Sequence, residues 1–272
     1  MASFEITRDG PVAHLRLTRP VASNALDMDF WRRFGPELKA LDATGEVRAL
    51  VLSGEGTAWS AGMDLKEYFR ETEAKGLGAT RQAQRESYGW WRRLRWYQKP
   101  TIAMVNGWCF GGGYGPLFAC DLAFAADEAQ FGLSEINWGI LPGGGATKVA
   151  VELLPFRKAM YHAMMGENVD GKTAADWGLV NESLPLAELK ARVTEVANVL
   201  LAKNPVALKA TKDAVRRVSV MSYDDAEDYL IRAQEAANSY DNHGRKEGIR
   251  QFIDEKSYKP GLGAYDKDKA GA

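Results

Sequence analysis

The chain has 272 residues, 46% of them apolar and 26% charged, a mix that excludes a disordered or fibrous protein and provides for a sizeable core. Lys+Arg number 35 and Asp+Glu 36, a formal charge of −1, so no global field draws nucleic acid or an anionic membrane and any anionic ligand must be held locally. Acidic residues in the first ten positions, no apolar run of signal-peptide length and no stretch approaching the ~20 apolar residues that span a bilayer predict a cytoplasmic protein.

In chain order, Val12 to Leu17 alternates with the period of a half-buried strand. Phe30, Phe34, Leu38 and Leu41 recur at helical spacing, with Gly35-Pro36 predicted to kink or restart the helix. Arg48 to Ser53 reads as a buried strand ended by Gly54-Glu55-Gly56, which makes the pattern α/β. Thr72 to Gln98 is polar and basic with a Trp-rich end. It is predicted as a helix stopping before Lys99-Pro100, its arginines a solvated face. A strand at Thr101 to Val105 leads through Asn106-Gly107 to Gly111-Gly112-Gly113, which opens an apolar helix to about Ala119, and Leu122 to Ala126 is a further strand.

From about Ala187 the pattern is helical. One helix runs to Lys203, another follows Asn204-Pro205, a third covers Ser222 to about Tyr240 and a last lies around Glu247 to Asp254. A soft boundary is placed near residue 200, dividing a core of residues 1–200 from a helical region of residues 201–272. A Lys/Asp/Gly tail after Leu262 has the composition of a mobile end. Cys109 and Cys120 lack the spacing of a zinc site and read as buried free thiols. His14, His162 and His243 are too scattered for a metal cluster or a Ser-His-Asp arrangement.

Two segments carry chemistry: Trp59-Ser60-Ala61-Gly62-Met63-Asp64-Leu65-Lys66-Glu67 and Asn106-Gly107-Trp108-Cys109-Phe110-Gly111-Gly112-Gly113. Each is a strand followed by a glycine-bearing loop that opens a helix, where backbone N–H groups are unpaired and negative charge is favoured. Facing one another, two such turns could grip one thioester oxygen; alternatively the glycines serve tight turns and close packing. Glu135, flanked by apolar Leu133, Ile136 and Trp138, is either a surface glutamate or a carboxyl whose pKa is raised toward the range useful for proton transfer.

These segments resemble the crotonase (enoyl-CoA hydratase/isomerase) superfamily. So do Arg19-Pro20 with Asn24-Ala25-Leu26, Cys120-Asp121-Leu122, Phe131-Gly132-Leu133-Ser134-Glu135 and Gly178-Leu179-Val180. The resemblance implies a crotonase-type superhelix of ββα units whose helical C-terminal region mediates trimers, often paired into hexamers. It implies oxyanion donors at the N–H groups of Met63 and Gly112, an acid/base at Glu135, and a coenzyme A loop around Ala61, Asp64 and Leu65. No metal or redox cofactor is implied, coenzyme A entering as part of the substrate. Ordinary hydratases of the family carry a second glutamate where this chain has Gly115, which makes simple enoyl-CoA hydration doubtful.

The strings MDLKEYFRE, VNGWCFGGG and FGLSEINWGI resemble the hydroxycinnamoyl-CoA hydratase-lyases. These convert feruloyl-, caffeoyl- or p-coumaroyl-CoA to an aromatic aldehyde such as vanillin and acetyl-CoA. Tyr68 matches a tyrosine of that group and is the first candidate to recognise a 4-hydroxyl. Tyr229 is the second, although the register places Ile231 at the matching position. Trp138, Trp108 and Phe110 are candidates for the slot that holds the ring, or core packing. Competing readings are isomerisation, thioester hydrolysis or hydration alone, and, remotely, a non-catalytic CoA- or RNA-binding protein using Arg92-Arg93-Leu94-Arg95.

Overall fold

The structure is a computed structural model that describes residues 2–143, 145–258 and 263–267. The chain forms two compact units, residues 1–97 with 101–194, and residues 98–100 with 195–272.

The strands in chain order are β1 (Phe4–Asp9), β2 (Val12–Leu17), β3 (Ala49–Gly54), β4 (Ala58–Ser60), β5 (Thr101–Val105), β6 (Trp108–Phe110), β7 (Leu122–Ala126), β8 (Gln130–Gly132), β9 (Val169–Asp170) and β10 (Glu182–Leu184). They form a six-stranded sheet ordered β1-β2-β3-β5-β7-β10 and a four-stranded sheet ordered β4-β6-β8-β9. β1 and β2 are an antiparallel hairpin, and β2, β3, β5, β7 and β10 then pair in parallel. Parallel neighbours need crossovers: β2 reaches β3 through helical chain alone, and each later crossover carries a short strand of the small sheet and then helical chain. β3 leads to β4, β5 to β6 and β7 to β8, so a ββα unit repeats along the chain.

The strands of the large sheet are rich in β-branched and apolar residues because both faces are covered: Leu15, Leu50, Val51, Ile102 and Val105 are all buried. The turns are tied by side chains. Asn106 accepts from the Gly54 N–H at 2.9 Å and donates to the Gly56 carbonyl at 3.0 Å, joining the β3–β4 turn to the β5–β6 turn. The Asp121 carboxylate accepts from the Thr101 N–H at 2.8 Å and from its hydroxyl at 2.9 Å, fixing β5 against the entry to β7.

Helix α1 (Met28–Ala43) is one helix that contains Pro36, so the chain does not restart there. Proline inside a helix costs ~3 kcal/mol. Against that, burial of Phe30, Trp31, Phe34, Leu38 and Leu41 holds the helix on the core, at ~1.5–3 kcal/mol per large apolar side chain. The stretch expected as one helix from Thr72 divides instead. A π turn at Lys66–Glu71 runs into α2 (Thr72–Ala74), the chain breaks at Gly76, and α3 (Leu77–Arg95) follows. Trp90 of α3 packs edge-on against Phe30 at 4.9 Å and Phe34 at 5.3 Å. The triple glycine forms a 3-10 turn that continues as α4 (Tyr114–Ala119). Beyond β8 come a 3-10 turn at Ser134–Trp138, α5 (Ala146–Leu153), α6 (Phe156–Met165) and α7 (Gly171–Trp177). Cys109 and Cys120 are buried thiols outside any disulfide, as expected.

The C-terminal helices are α8 (Leu186–Ala202), α9 (Pro205–Val218), α10 (Tyr223–Tyr240) and α11 (Asn242–Arg250), with a π turn at Gln251–Glu255. The starts of α9, α10 and α11 are capped by side chains that accept orphan N–H groups: Asn204 from Ala207 at 2.9 Å, Ser222 from Asp225 at 3.2 Å and Asp241 from Gly244 at 2.8 Å. Of the tail expected to be mobile, Tyr265 accepts from Asn204 and the Asp266 N–H donates to Gln251, both at 2.8 Å, while 268–272 lie outside the described residues. No helix among the described residues is long and apolar enough to cross a membrane.

Candidate active site

Leu26 and Met63 form an isolated parallel bridge in which the Leu26 N–H donates to the Gly62 carbonyl at 2.7 Å and the Asp64 N–H to the Leu26 carbonyl at 3.1 Å. Alternation along an extended chain then turns the Met63 N–H to the opposite side, away from Leu26. The loop is held from behind. Asn24 donates to the carbonyls of Glu55 at 2.9 Å and Ala58 at 2.7 Å, and the Ser60 hydroxyl donates to the Asn24 carbonyl at 3.0 Å. The Arg19 guanidinium bridges Asp27 at 3.2 Å and Asp64 at 3.0 Å. These contacts give the Arg19-Pro20 and Asn24-Ala25-Leu26 strings a physical role: they clamp the loop that presents Met63.

The second loop meets it at Gly112, in the first turn of the 3-10 segment, where N–H groups have no intrahelical acceptor. A β-carbon on Gly112 would stand 3.0 Å from the Met63 nitrogen. One on Gly62, whose φ is +88°, would stand 2.7 Å from the Gly112 nitrogen and 2.6 Å from the Phe110 carbonyl oxygen. The two loops therefore meet closely because each has a glycine at the contact, Gly62 against the Gly112 backbone and Gly112 against the Met63 backbone and side chain.

Glu135 lies in the 3-10 turn at Ser134–Trp138. This turn is closed by the Ile140 N–H donating to the Glu135 carbonyl at 3.0 Å and anchored by Asn137 donating to the Gly166 carbonyl at 3.0 Å. Its Oε1 faces Gly111, 2.6 Å from where a β-carbon there would sit, and its Oε2 is buried without a hydrogen-bond partner among the described residues. Burial raises its pKa above the ordinary glutamate value, partly offset by its own backbone N–H.

A cavity of about 330 Å³ brings together Ala61, Met63, Leu65, Tyr68, Gly112, Glu135 and Trp138, seven of the residues expected from the sequence. No histidine or cysteine lines it among the described residues. Tyr68 stands edge-on to Trp31 at 5.3 Å, and burial raises its hydroxyl pKa, with the Ser87 side chain partly offsetting the rise.

Two expected residues of the same unit, Asp64 and Gly115, do not line this cavity. The Asp64 carboxylate is taken by Arg19 and by the N–H groups of Lys66 and Glu67 at 3.2 Å each, so its contacts hold the loop. Gly115 is buried behind the triple glycine, where a β-carbon would meet the Trp91 indole at 3.7 Å. The same indole stands 3.1 Å from the corresponding point on Gly145, so Trp91 fills the volume in front of Gly115. Tyr229 lies on α10 in the second unit, its ring 6.0 Å from the Arg217 guanidinium. Of the candidate ring-slot aromatics, Phe110 lines the cavity beside Trp138, but Trp108 does not.

Sequence reading missed Phe69, Gln84, Tyr88, Ser134, Ile140 and Leu141, all of which line the cavity. The 84/88 spacing of Gln84 and Tyr88 on one helix face was the only available signal for that pair. The buried pair of Tyr114 and His162, 2.7 Å apart, was missed as well; burial pushes the histidine pKa down to about 4, so it is neutral at pH 7.

The sequence model of the enoyl-CoA hydratase/isomerase family matches residues 7–260. A hydroxycinnamoyl-CoA hydratase-lyase of Pseudomonas fluorescens is 47% identical over 258 residues, 94% of each chain. The 2,3-dehydroadipyl-CoA hydratase of Escherichia coli K12 is 31% identical over 80% of this chain and 83% of its own. The crystal structure of an enoyl-CoA hydratase from Mycobacterium smegmatis superposes with a TM-score of 0.87 at 25% identity, covering 93% of this chain and 96% of that one. The repeated ββα core, the two facing loops and these likenesses agree: the chain has the crotonase fold and belongs to the enoyl-CoA hydratase/isomerase family.

Proposed function

We propose that this enzyme is a hydroxycinnamoyl-CoA hydratase-lyase, adding water across the side-chain double bond of feruloyl-, caffeoyl- or p-coumaroyl-CoA and splitting the product to an aromatic aldehyde and acetyl-CoA. The observation that carries the reading is Glu135, the single carboxylate among the described residues of a cavity that Met63, Gly112, Tyr68, Phe110 and Trp138 also line. The likeness to the P. fluorescens enzyme supports it.

In the first step Glu135 takes a proton from water as the oxygen bonds to Cβ, then returns it to Cα. In the second it takes the β-hydroxyl proton while the Cα–Cβ bond breaks. The bonding pair passes into the thioester enolate, and Glu135 reprotonates that enolate to acetyl-CoA. The oxyanion of both steps rests on the Met63 and Gly112 amides, each worth ~3–4 kcal/mol to the transition state in comparable sites. Ala61 and Leu65 flank the thioester end, and Tyr68 recognises the ring. No metal or redox cofactor is required, and assembly as a trimer or a dimer of trimers belongs to the same reading.

Feruloyl-CoA mixed with purified protein is expected to give vanillin and acetyl-CoA in equal amounts, identified by mass. Recovery of a substrate with only its double bond moved, or consumption of straight-chain enoyl-CoA alone, would replace this activity with another of the family.

The Trp91–Gly115 contact makes a separate prediction. Gly115→Glu alone is expected to leave crotonyl-CoA hydration unchanged, because the indole occupies the space a second carboxylate would need. The double variant Trp91→Ala/Gly115→Glu is expected to raise it about tenfold, the low end of what a positioned acid/base supplies. Equal gains in the single and double variants would show that Trp91 is no barrier.

A further inference from the structure

Tyr114 and His162 are both buried, and neither lines the cavity that holds Glu135. Their side chains meet at 2.7 Å, between the Tyr114 hydroxyl and His162 Nε2. Burial above all, with Cys109 and Glu135 nearby, pushes the Tyr114 hydroxyl pKa well above the ordinary tyrosine value, so at pH 7 a phenol faces the neutral imidazole. The other ring nitrogen, Nδ1, is buried without a hydrogen-bond partner among the described residues. Apolar side chains would fill this volume without leaving a polar atom unpaired, so packing alone does not account for the pair.

The bond closes a circuit through the site. Tyr114 opens α4 directly after the triple glycine, and its N–H donates back to the Gly111 and Gly112 carbonyls, so it continues the turn that carries the Gly112 N–H. His162 lies on α6, about one helical turn before Gly166. The Gly166 carbonyl accepts from Asn137 at 3.0 Å, and a β-carbon on Gly166 would lie 2.7 Å from Ile136 Cγ2, so the end of α6 is set hard against the turn that carries Glu135. That turn returns the carboxylate to the glycines, where Oε1 stands 2.6 Å from where a β-carbon on Gly111 would sit.

We propose that Tyr114 and His162 are a positioning pair, whose hydrogen bond sets the separation between the Glu135 carboxylate and the Gly112 N–H without touching the substrate. The inference rests on the roles given above to Glu135 and Gly112, and not on the identity of the acyl group. A hydrogen bond has a preferred length and angle, which apolar contact lacks, so it holds α6 with the Glu135 turn at one distance from the glycine turn. Proton transfer at Cα needs the carboxylate and the oxyanion donor correctly spaced in the transition state, whereas ground-state binding draws on the whole cavity wall. Loosening the pair therefore acts on kcat and spares KM.

The test measures kcat, KM and Tm of full-length variants on feruloyl-CoA. Tyr114→Phe leaves His162 unpaired, so Tm is expected to fall and kcat to drop about tenfold with KM within about twofold. His162→Gln, whose carboxamide can stand in for Nε2, is expected to keep kcat within about threefold. Tyr114→Phe/His162→Leu removes both partners, so Tm is expected to return toward the wild-type value while kcat stays about tenfold down. A pair that only supported the core would give back kcat together with Tm. Wild-type kcat in the double variant, equal losses in His162→Gln and Tyr114→Phe, or losses carried by KM would overturn the proposal, and if Tyr114→Phe fails to fold the double variant decides. If the wild type consumes crotonyl-CoA and not feruloyl-CoA, the acyl assignment falls and the same ratios on crotonyl-CoA decide the pair. If it consumes neither, or if Glu135→Gln keeps its kcat, the site reading and the pair fall together.

Discussion

Glu135→Gln is expected to lower kcat on feruloyl-CoA by about 10³-fold, within the 10²–10⁴ range of general acid–base catalysis, with little change in KM. Glutamine keeps the side chain's volume beside Gly111 but can neither accept the proton of water nor return one to Cα. The Met63 and Gly112 amides, which bind the thioester in the proposed mechanism, stay in place. An interaction used in the transition state but not in the ground state shows as equal losses in kcat and kcat/KM. Steady-state kinetics with single-turnover product analysis would check this, and a loss under about tenfold would remove Glu135 from the proton transfers.

The same substitution is expected to stabilise the folded protein at pH 8. Burial raises the carboxyl pKa in the folded state, and Oε2 has no hydrogen-bond partner among the described residues. The folded state therefore binds the proton more tightly than the unfolded state. Its contribution to stability is complete below the ordinary glutamate range and is lost as pH rises through the raised folded value. Glutamine carries no charge to desolvate, so the variant's Tm should exceed that of the wild type at pH 8 and the difference should close toward pH 4. An unchanged or lowered Tm at pH 8 would mean that the folded site solvates the carboxylate as well as water does.

Much of the fold was legible because the main strands and helices carry their own periods. Val12–Leu17, Thr101–Val105 and Leu122–Ala126 were read at their observed bounds. The capping residues Asn204 and Ser222 marked the starts of α9 and α10. Most of the small sheet has no local signature. β4, β6 and β8 have three residues each, too short for alternation to register, and they exist because they pair with one another. Pro36 was read by its local cost, but tertiary burial of the α1 stripe decides there. At the site, the glycine loops and Glu135 were readable as motifs. Gln84, Tyr88 and the Trp91–Gly115 contact were not, because they depend on how α3 lies against chain twenty or more residues away.

Gly62→Ala is expected to cost both stability and catalysis. The position has φ +88°, which an L side chain adopts at roughly 1–2 kcal/mol. Its new β-carbon would lie 2.6 Å from the Phe110 carbonyl oxygen and 2.7 Å from the Gly112 nitrogen, both backbone atoms that cannot rotate away. The loops must part by several tenths of an ångström or more, and the Met63 and Gly112 N–H groups with them. An oxyanion hole depends on donors within about 2.7–3.1 Å of where the charge develops, so spreading the pair should reduce kcat by about 10²–10³-fold, as loss of one donor does. Gly78→Ala, in α3 with nothing within 4 Å of the new methyl, is the matched control and should be neutral or stabilising. Tm and kcat measured on both variants would separate the effects. A Gly62→Ala protein that melts earlier but retains its kcat would show that the loop contact holds the fold without presenting the Met63 and Gly112 N–H groups to the enolate.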